Sequence, residues 1–226
     1  MSTKFLSPDW RMPRNANQSK QSNYSMYFNG SSDKIEVQDA SNEFGFSNNR
    51  FSLSAWVFID SNTTQNGLIA KRNIGSAVAN KMWYFEINTS SQIRFLWYNT
   101  VGGSSNVSST DTIPLNTWTH VVVTSDGTGA NGLNFYINGS VDSGGSKTGP
   151  SSASSIQQTG TPLWVGARGG NSSAQYTSGK IDQVSIFDYE LSSSQVTTLW
   201  GGGTSVSNPM ALPRTPIAYY PLGTSA

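Results

Sequence analysis

The run Met82-Trp-Tyr-Phe-Glu-Ile-Asn-Thr-Ser-Ser-Gln-Ile-Arg-Phe-Leu-Trp-Tyr98 decides the fold. Two stretches of aromatic and β-branched residues flank the turn-forming segment 88–92, the pattern of an antiparallel hairpin. In the register centred on Ser90, Trp83 faces Trp97, Phe85 faces Phe95 and Ile87 faces Ile93. One side of the hairpin is then apolar throughout and turns to a core. The other side pairs Met82 with Tyr98, Tyr84 with Leu96 and Glu86 with Arg94, which sets an opposite-charge pair beside two tyrosines on the outward face.

Working outward, short apolar runs punctuated by Gly, Asn, Asp and Ser recur at 24–28, 33–37, 51–59, 67–71, 118–124, 133–138, 163–167 and 180–187. That spacing signals an all-β sandwich or barrel. Phe51, Leu53, Ala55, Val57 and Ile59 keep one face apolar at period two, as do Leu133, Phe135 and Ile137 before the Asn138-Gly139 turn. One helix is expected near 192–200, where Ser192 and Gln195 form a capping box and Gly201-Gly202-Gly203 provides the stop. Residues 1–23 read as a polar arm. Residues 204–226 read as a proline-containing tail that ends in a short strand at Ile217-Ala-Tyr-Tyr220.

Composition narrows the function. The chain has 226 residues, 12% of them aromatic and 12% charged, a formal net charge of +1, no cysteine and one histidine. Near-neutral charge without a basic run removes the pull toward phosphate backbones, so nucleic acid is not expected as a partner. The missing cysteines exclude disulfides, thiolate catalysis and Cys-ligated zinc, and a single histidine excludes multi-His metal sites. No signal peptide and no membrane insertion are expected, because the apolar runs are only a few residues long.

Five segments resemble the laminin-G-like jelly rolls of the concanavalin A-like lectin and glucanase superfamily, over about residues 24–203. They are Tyr24-Ser-Met-Tyr-Phe-Asn-Gly-Ser-Ser-Asp-Lys-Ile-Glu-Val37, Phe51-Ser-Leu-Ser-Ala-Trp-Val57, Trp118-Thr-His-Val-Val-Val-Thr124, Phe135-Tyr-Ile-Asn-Gly139 and Gly179-Lys-Ile-Asp-Gln-Val-Ser-Ile-Phe187, the last running into Leu191-Ser-Ser-Ser-Gln195. The resemblance implies two stacked, curved antiparallel sheets in a jelly-roll sandwich. Most members of such a family bind glycans or proteins, and a minority hydrolyse polysaccharides. Pro216-Ile-Ala-Tyr-Tyr-Pro-Leu-Gly223 looks like the opening strand of such a domain, placed here at the C-terminal end. It either closes its own sandwich edge, the favoured reading, or is lent to a neighbouring subunit. The Ser-, Asn- and Gly-rich texture is also similar to that of domains in marine phage virion proteins.

Family glucanases place two carboxylates at alternate positions of one strand, and this chain has no such Glu-x-Asp cluster. Asp188 and Glu190 sit two apart, beside the helix start, where acids favour the helix dipole. His120 reads as a hydrogen-bonded packing residue, and no Gly-x-Ser-x-Gly elbow presents a nucleophile. No catalytic residue is assigned and no cofactor is required. Asp33 and Asp182 are the candidates for a single structural calcium, with hydrogen-bonded aspartates as the competing reading. If Val184 and Ile186 face inward, Asp182 shares their side. Pentraxins, which resemble segment 179–203, bind calcium through an acidic loop just before it; here that loop, 167–176, contains no acid. Tyr84, Glu86, Arg94 and Tyr98 are the candidate ligand-binding residues, suited to stacking on sugar rings and bonding their hydroxyls. The expected function is a non-enzymatic structural or adhesion subunit of a larger surface assembly, a phage virion decoration or fibre protein that contacts other subunits through 1–23 and 204–226 and takes polysaccharide as a second partner. A stand-alone lectin module is the alternative, and a glucanase ranks below both.

Overall fold

A computed structural model of the chain describes residues 25–75, 77–99, 103–142, 147–148, 156–170, 172–203 and 207–222. Two seven-stranded antiparallel sheets stack over a shared core. The first runs, in spatial order, β1 (Met26–Asn29), β15 (Ser178–Phe187), β3 (Arg50–Ile59), β8 (Thr119–Asp126), β9 (Leu133–Ile137) and β10 (Ser140–Asp142), with β16 (Ala218–Tyr220) also paired to β15. The second runs β11 (Lys147–Thr148), β7 (Ser104–Thr112), β6 (Gln92–Tyr98), β5 (Lys81–Ile87), β4 (Asn66–Arg72), β12 (Leu163–Val165) and β2 (Ile35–Val37). A two-stranded ribbon, β13 (Ala167–Arg168) and β14 (Gln175–Tyr176), stands apart from both.

The β5–β6 hairpin has the register read from the sequence, Trp83 opposite Trp97, Phe85 opposite Phe95 and Ile87 opposite Ile93. All six side chains are buried and meet the inward residues of β3. Phe51 tilts on Phe95 with ring centroids 4.8 Å apart, Phe46 stacks on Phe51 at 4.7 Å, and Trp83 Nε1 donates to the carbonyl of Phe44 at 3.0 Å. One ion pair is sunk into this core. Lys71 lies opposite Trp83 and is fully buried against Asp39, whose carboxylate also accepts from the backbone N–H groups of Glu43 and Phe44. The ammonium thus pins the 39–46 loop over one end of the sandwich. Burial pulls the Lys71 amine below its ordinary value, with Asp39 acting against that.

The outer face of the first sheet is half covered. Helix α1 (Ser193–Trp200) starts at Ser192, whose hydroxyl accepts from Gln195 N–H while the Gln195 side chain accepts from Ser192 N–H, and ends at Gly201 in the left-handed region. Its buried residues Val196 and Leu199 join Leu191, Leu212, Val122, Tyr136 and Phe187 in a second, smaller core. Beyond the helix, residues 207–222 stay with their own sandwich: Ile217 N–H bonds the Ile186 carbonyl at 2.8 Å, and β16 pairs with residues 184–186 of β15. Strand β1 takes residues 178–181 of the same edge, so β1 and β16 together make up one edge strand. The described part of the tail therefore pairs with its own sheet, the favoured of the two readings of that strand. The arm 1–23 lies outside the described residues.

Strand β7 had escaped the sequence reading. Its sequence, Ser-Ser-Asn-Val-Ser-Ser-Thr-Asp-Thr, offers the core one apolar side chain, Val107, so it carries no apolar alternation.

Candidate functional site

On the outer face of the second sheet, Tyr84 and Glu86 of β5 lie opposite Leu96 and Arg94 of β6, the arrangement expected from the sequence. This face is not an open shelf, because the β13–β14 ribbon crosses over β4 at Gly67. A Cβ at that position would sit 2.5 Å from the backbone nitrogen of Arg168, so glycine is what lets the ribbon come so close. The crossing delivers Arg168 onto the hairpin. Its guanidinium lies 4.4 Å from the Tyr84 ring centroid and its Nε bonds Glu86 Oε2. Arg94 takes the other oxygen, Nε to Glu86 Oε1 at 2.7 Å. Arg72 donates to the Tyr98 hydroxyl at 2.6 Å, with its guanidinium 5.1 Å from that ring, and the Lys81 amine stands 5.3 Å from the same ring.

The expected stacking face is therefore corrected in one respect. Tyr84 and Tyr98 are only 4% and 9% exposed, their rings already covered by cations, and Glu86 is fully buried. Solvent is reached by the Arg94 side chain, 24% exposed, and by the half-buried Lys81. Burial pushes the Tyr84 phenol up to about 12, with the Glu86 charge adding to the effect. Arg72 and Arg168 were missed because one arrives from the neighbouring strand β4 and the other from the β13–β14 ribbon, and Lys81 because it stands at the head of β5, one residue before the hairpin run that starts at Met82. The signals that could have found them are Gly67 within a strand pattern and Arg168 at the head of a glycine-containing loop.

Asp182 does not share the side of Val184. A bulge at Gln183, whose φ is +53°, inserts one residue into β15 and reverses the alternation, so Asp182 lies opposite Trp56 on the outward side while Val184 and Ile186 turn to the core. The Asp182 carboxylate accepts from Gln183 N–H at 2.8 Å, and burial raises it to about 7. Asp33 sits at the other end of β1, accepting from Asn29 N–H at 3.2 Å in a turn. Asn29 faces Ser178, so four residues of β15, about 13 Å, separate the two aspartates. They do not come together, and among the described residues no three His, Asp or Glu side chains gather as a metal site would require.

His120 packs as the sequence implied. Its Nε2 is 2.9 Å from the Ser54 hydroxyl, its ring lies 5.3 Å from Trp56, and burial lowers it to about 3, so the imidazole is neutral. Asp188 pairs with Arg214 of the tail. Among the described residues no helix is long and apolar enough to cross a membrane.

Two stacked antiparallel sheets in this order make a concanavalin A-like sandwich. The chain belongs to the Laminin_G_3 family of the concanavalin A-like lectin/glucanases superfamily, whose model matches residues 20–197. No curated protein sequence matches it. Among solved structures it is similar to a Trypanosoma rangeli sialidase, at 18% identity and a TM-score of 0.57, covering 81% of this chain and 28% of the sialidase. A Bacteroides ovatus protein assigned to carbohydrate binding matches at 18% identity and a TM-score of 0.58, covering 89% of this chain and 53% of that one. A heptameric SAP-like pentraxin from Limulus polyphemus matches at 11% identity and 0.53, covering 87% and 91%. At these identities the likeness is one of fold.

Proposed function

We propose that the domain is a non-catalytic recognition module for acidic polysaccharide, bound across the outer face of the β5–β6 hairpin. The observation that carries this reading is that two cations of the face reach solvent, Arg94 beside Glu86 and Lys81 over the Tyr98 ring. Uronate or sulfate groups supply the charge complement to the Lys81 ammonium and to the exposed part of the Arg94 guanidinium. Catalysis is disfavoured by the state of the available groups. Both oxygens of Glu86 are occupied by arginines, and His120 is neutral and buried. The sialidase and carbohydrate-binding neighbours support a sugar ligand.

A finer role as a phage virion decoration or fibre subunit rests on sequence texture alone. The use of residues 207–222 within their own sandwich favours the module reading over an assembly role for the tail. Titration calorimetry with alginate, a polyuronate, tests the proposal. Arg94→Ala and Lys81→Ala are each expected to weaken binding about tenfold, the loss of one charge-assisted contact. Unchanged affinity in both variants would refute the site.

A further inference from the structure

The cover that α1 and the tail lay over the first sheet stops short. Val122 is fully buried beneath it, and the helix ends with Trp200 packed against Gly139, at the turn that follows the strand neighbouring His120. Four residues from Val122, Trp118 is 37% exposed. From Trp118 an aromatic row runs across the sheet. Phe58 meets Trp118 edge-on at 5.8 Å, Lys180 is the strand neighbour of Phe58 with its amine 4.8 Å from that ring, and Tyr27, 55% exposed, faces Lys180 on β1. The row crosses four strands, about 14 Å at the usual strand spacing.

The adjoining row is polar and short of partners. Asp182, Trp56 and His120 lie side by side on β15, β3 and β8. Trp56 Nε1 and Gln183 Nε2 are buried with no hydrogen-bond partner, in side chains that are 8% and 4% exposed. Buried donors of this kind are rare and call for a bonding group. Flat rings beside unsatisfied donors and a carboxylate match the two surfaces of a sugar, its C–H faces and its hydroxyl edge.

We propose that this row is a second carbohydrate-binding surface, a shelf for a neutral pyranose chain on the opposite side of the sandwich from the hairpin face. Neutral sugar is the occupant the groups select, since the row offers a single cation, Lys180, turned onto the Phe58 ring, whereas several cations crowd around Tyr84 and Tyr98. Tyr27 and Trp118 stack on the chain, and Lys180 and the Asp182 row bond its hydroxyls. The assignment does not depend on the acidic-ligand site.

A printed array of neutral glucans, galactans and xylans beside acidic polysaccharides separates the two surfaces. Full-length protein is expected to bind at least one neutral polymer. The Tyr27→Ala/Trp118→Ala variant should lose that binding about tenfold or more while keeping its acidic ligands. The Arg94→Ala/Lys81→Ala variant should show the reverse. Both pairs lie at exposed or half-exposed positions, and melting curves check that each variant folds. Binding to acidic polymers alone, or neutral binding unchanged in the Tyr27→Ala/Trp118→Ala variant, would overturn the shelf and leave the hairpin site standing. Sedimentation that shows a dimer converted to monomer by Trp118→Ala would also overturn it, by making the row a contact between copies.

Discussion

Replacing Asp182 by Asn should make stability diverge from that of the parent as pH rises. The carboxyl is ordinarily half-ionised at 3.8, and burial against Trp56 raises it to about 7. Below the ordinary value it is neutral in both states. Between 3.8 and about 7 the unfolded chain has lost the proton and the native chain keeps it, so stability falls through that window and levels off above it. At about 1.4 kcal/mol per pH unit the full effect approaches about 4 kcal/mol, and water reaching this 9%-exposed carboxyl reduces it to about 2 kcal/mol. Asn keeps the oxygen that accepts from Gln183 N–H, so no hydrogen bond is lost. His120 works in the opposite sense. Lowered by burial from 6.5 to about 3, it costs stability as pH falls through that range and masks the Asp182 slope in the parent. Urea denaturation at half-unit steps from about pH 4 to 8 reads the difference between the two proteins. It should be near zero at the acid end and favour Asp182→Asn by about 2 kcal/mol at the alkaline end. Parallel pH profiles would refute the buried, proton-holding carboxyl.

Three further perturbations follow from the packing. Lys71→Met strands Asp39 in the core and should cost about 3–5 kcal/mol by chemical denaturation, with Lys71→Met/Asp39→Asn recovering much of the loss. Gly67→Ala places a methyl group 2.5 Å from the Arg168 nitrogen and must lift the β13–β14 ribbon, costing about 1–3 kcal/mol and loosening the contact of Arg168 with Tyr84 and Glu86. Ser192→Ala removes the helix cap and should lower stability by about 1 kcal/mol, measured by the same urea titration.

Where local pattern decides structure, the sequence was readable to the residue. The β5–β6 register followed from three apolar cross-strand pairs, and the helix start followed from Ser192 and Gln195. The errors arose where one residue or a distant segment intervenes. Period-two counting carried Asp182 to the core side, and the single bulged residue Gln183 moved it to the other face. The outward face of the hairpin was correctly assigned, yet its exposure depends on a ribbon some eighty residues away in sequence, and no pattern within 82–98 announces that cover. The exposed row of Tyr27, Phe58 and Trp118 had the same character. Tyr27 and Phe58 lie on different strands and Trp118 just before a third, and only the sheet order makes them neighbours.

The most direct test of the account is affinity electrophoresis of the unmodified protein through gels containing alginate, at low and at moderate salt. Recognition by Arg94 and Lys81 predicts retardation at low salt that fades as ionic strength rises, because these partly exposed charges are screened. Free migration through alginate and through sulfated polysaccharide at low salt would contradict the assignment of this face as a site for acidic glycans.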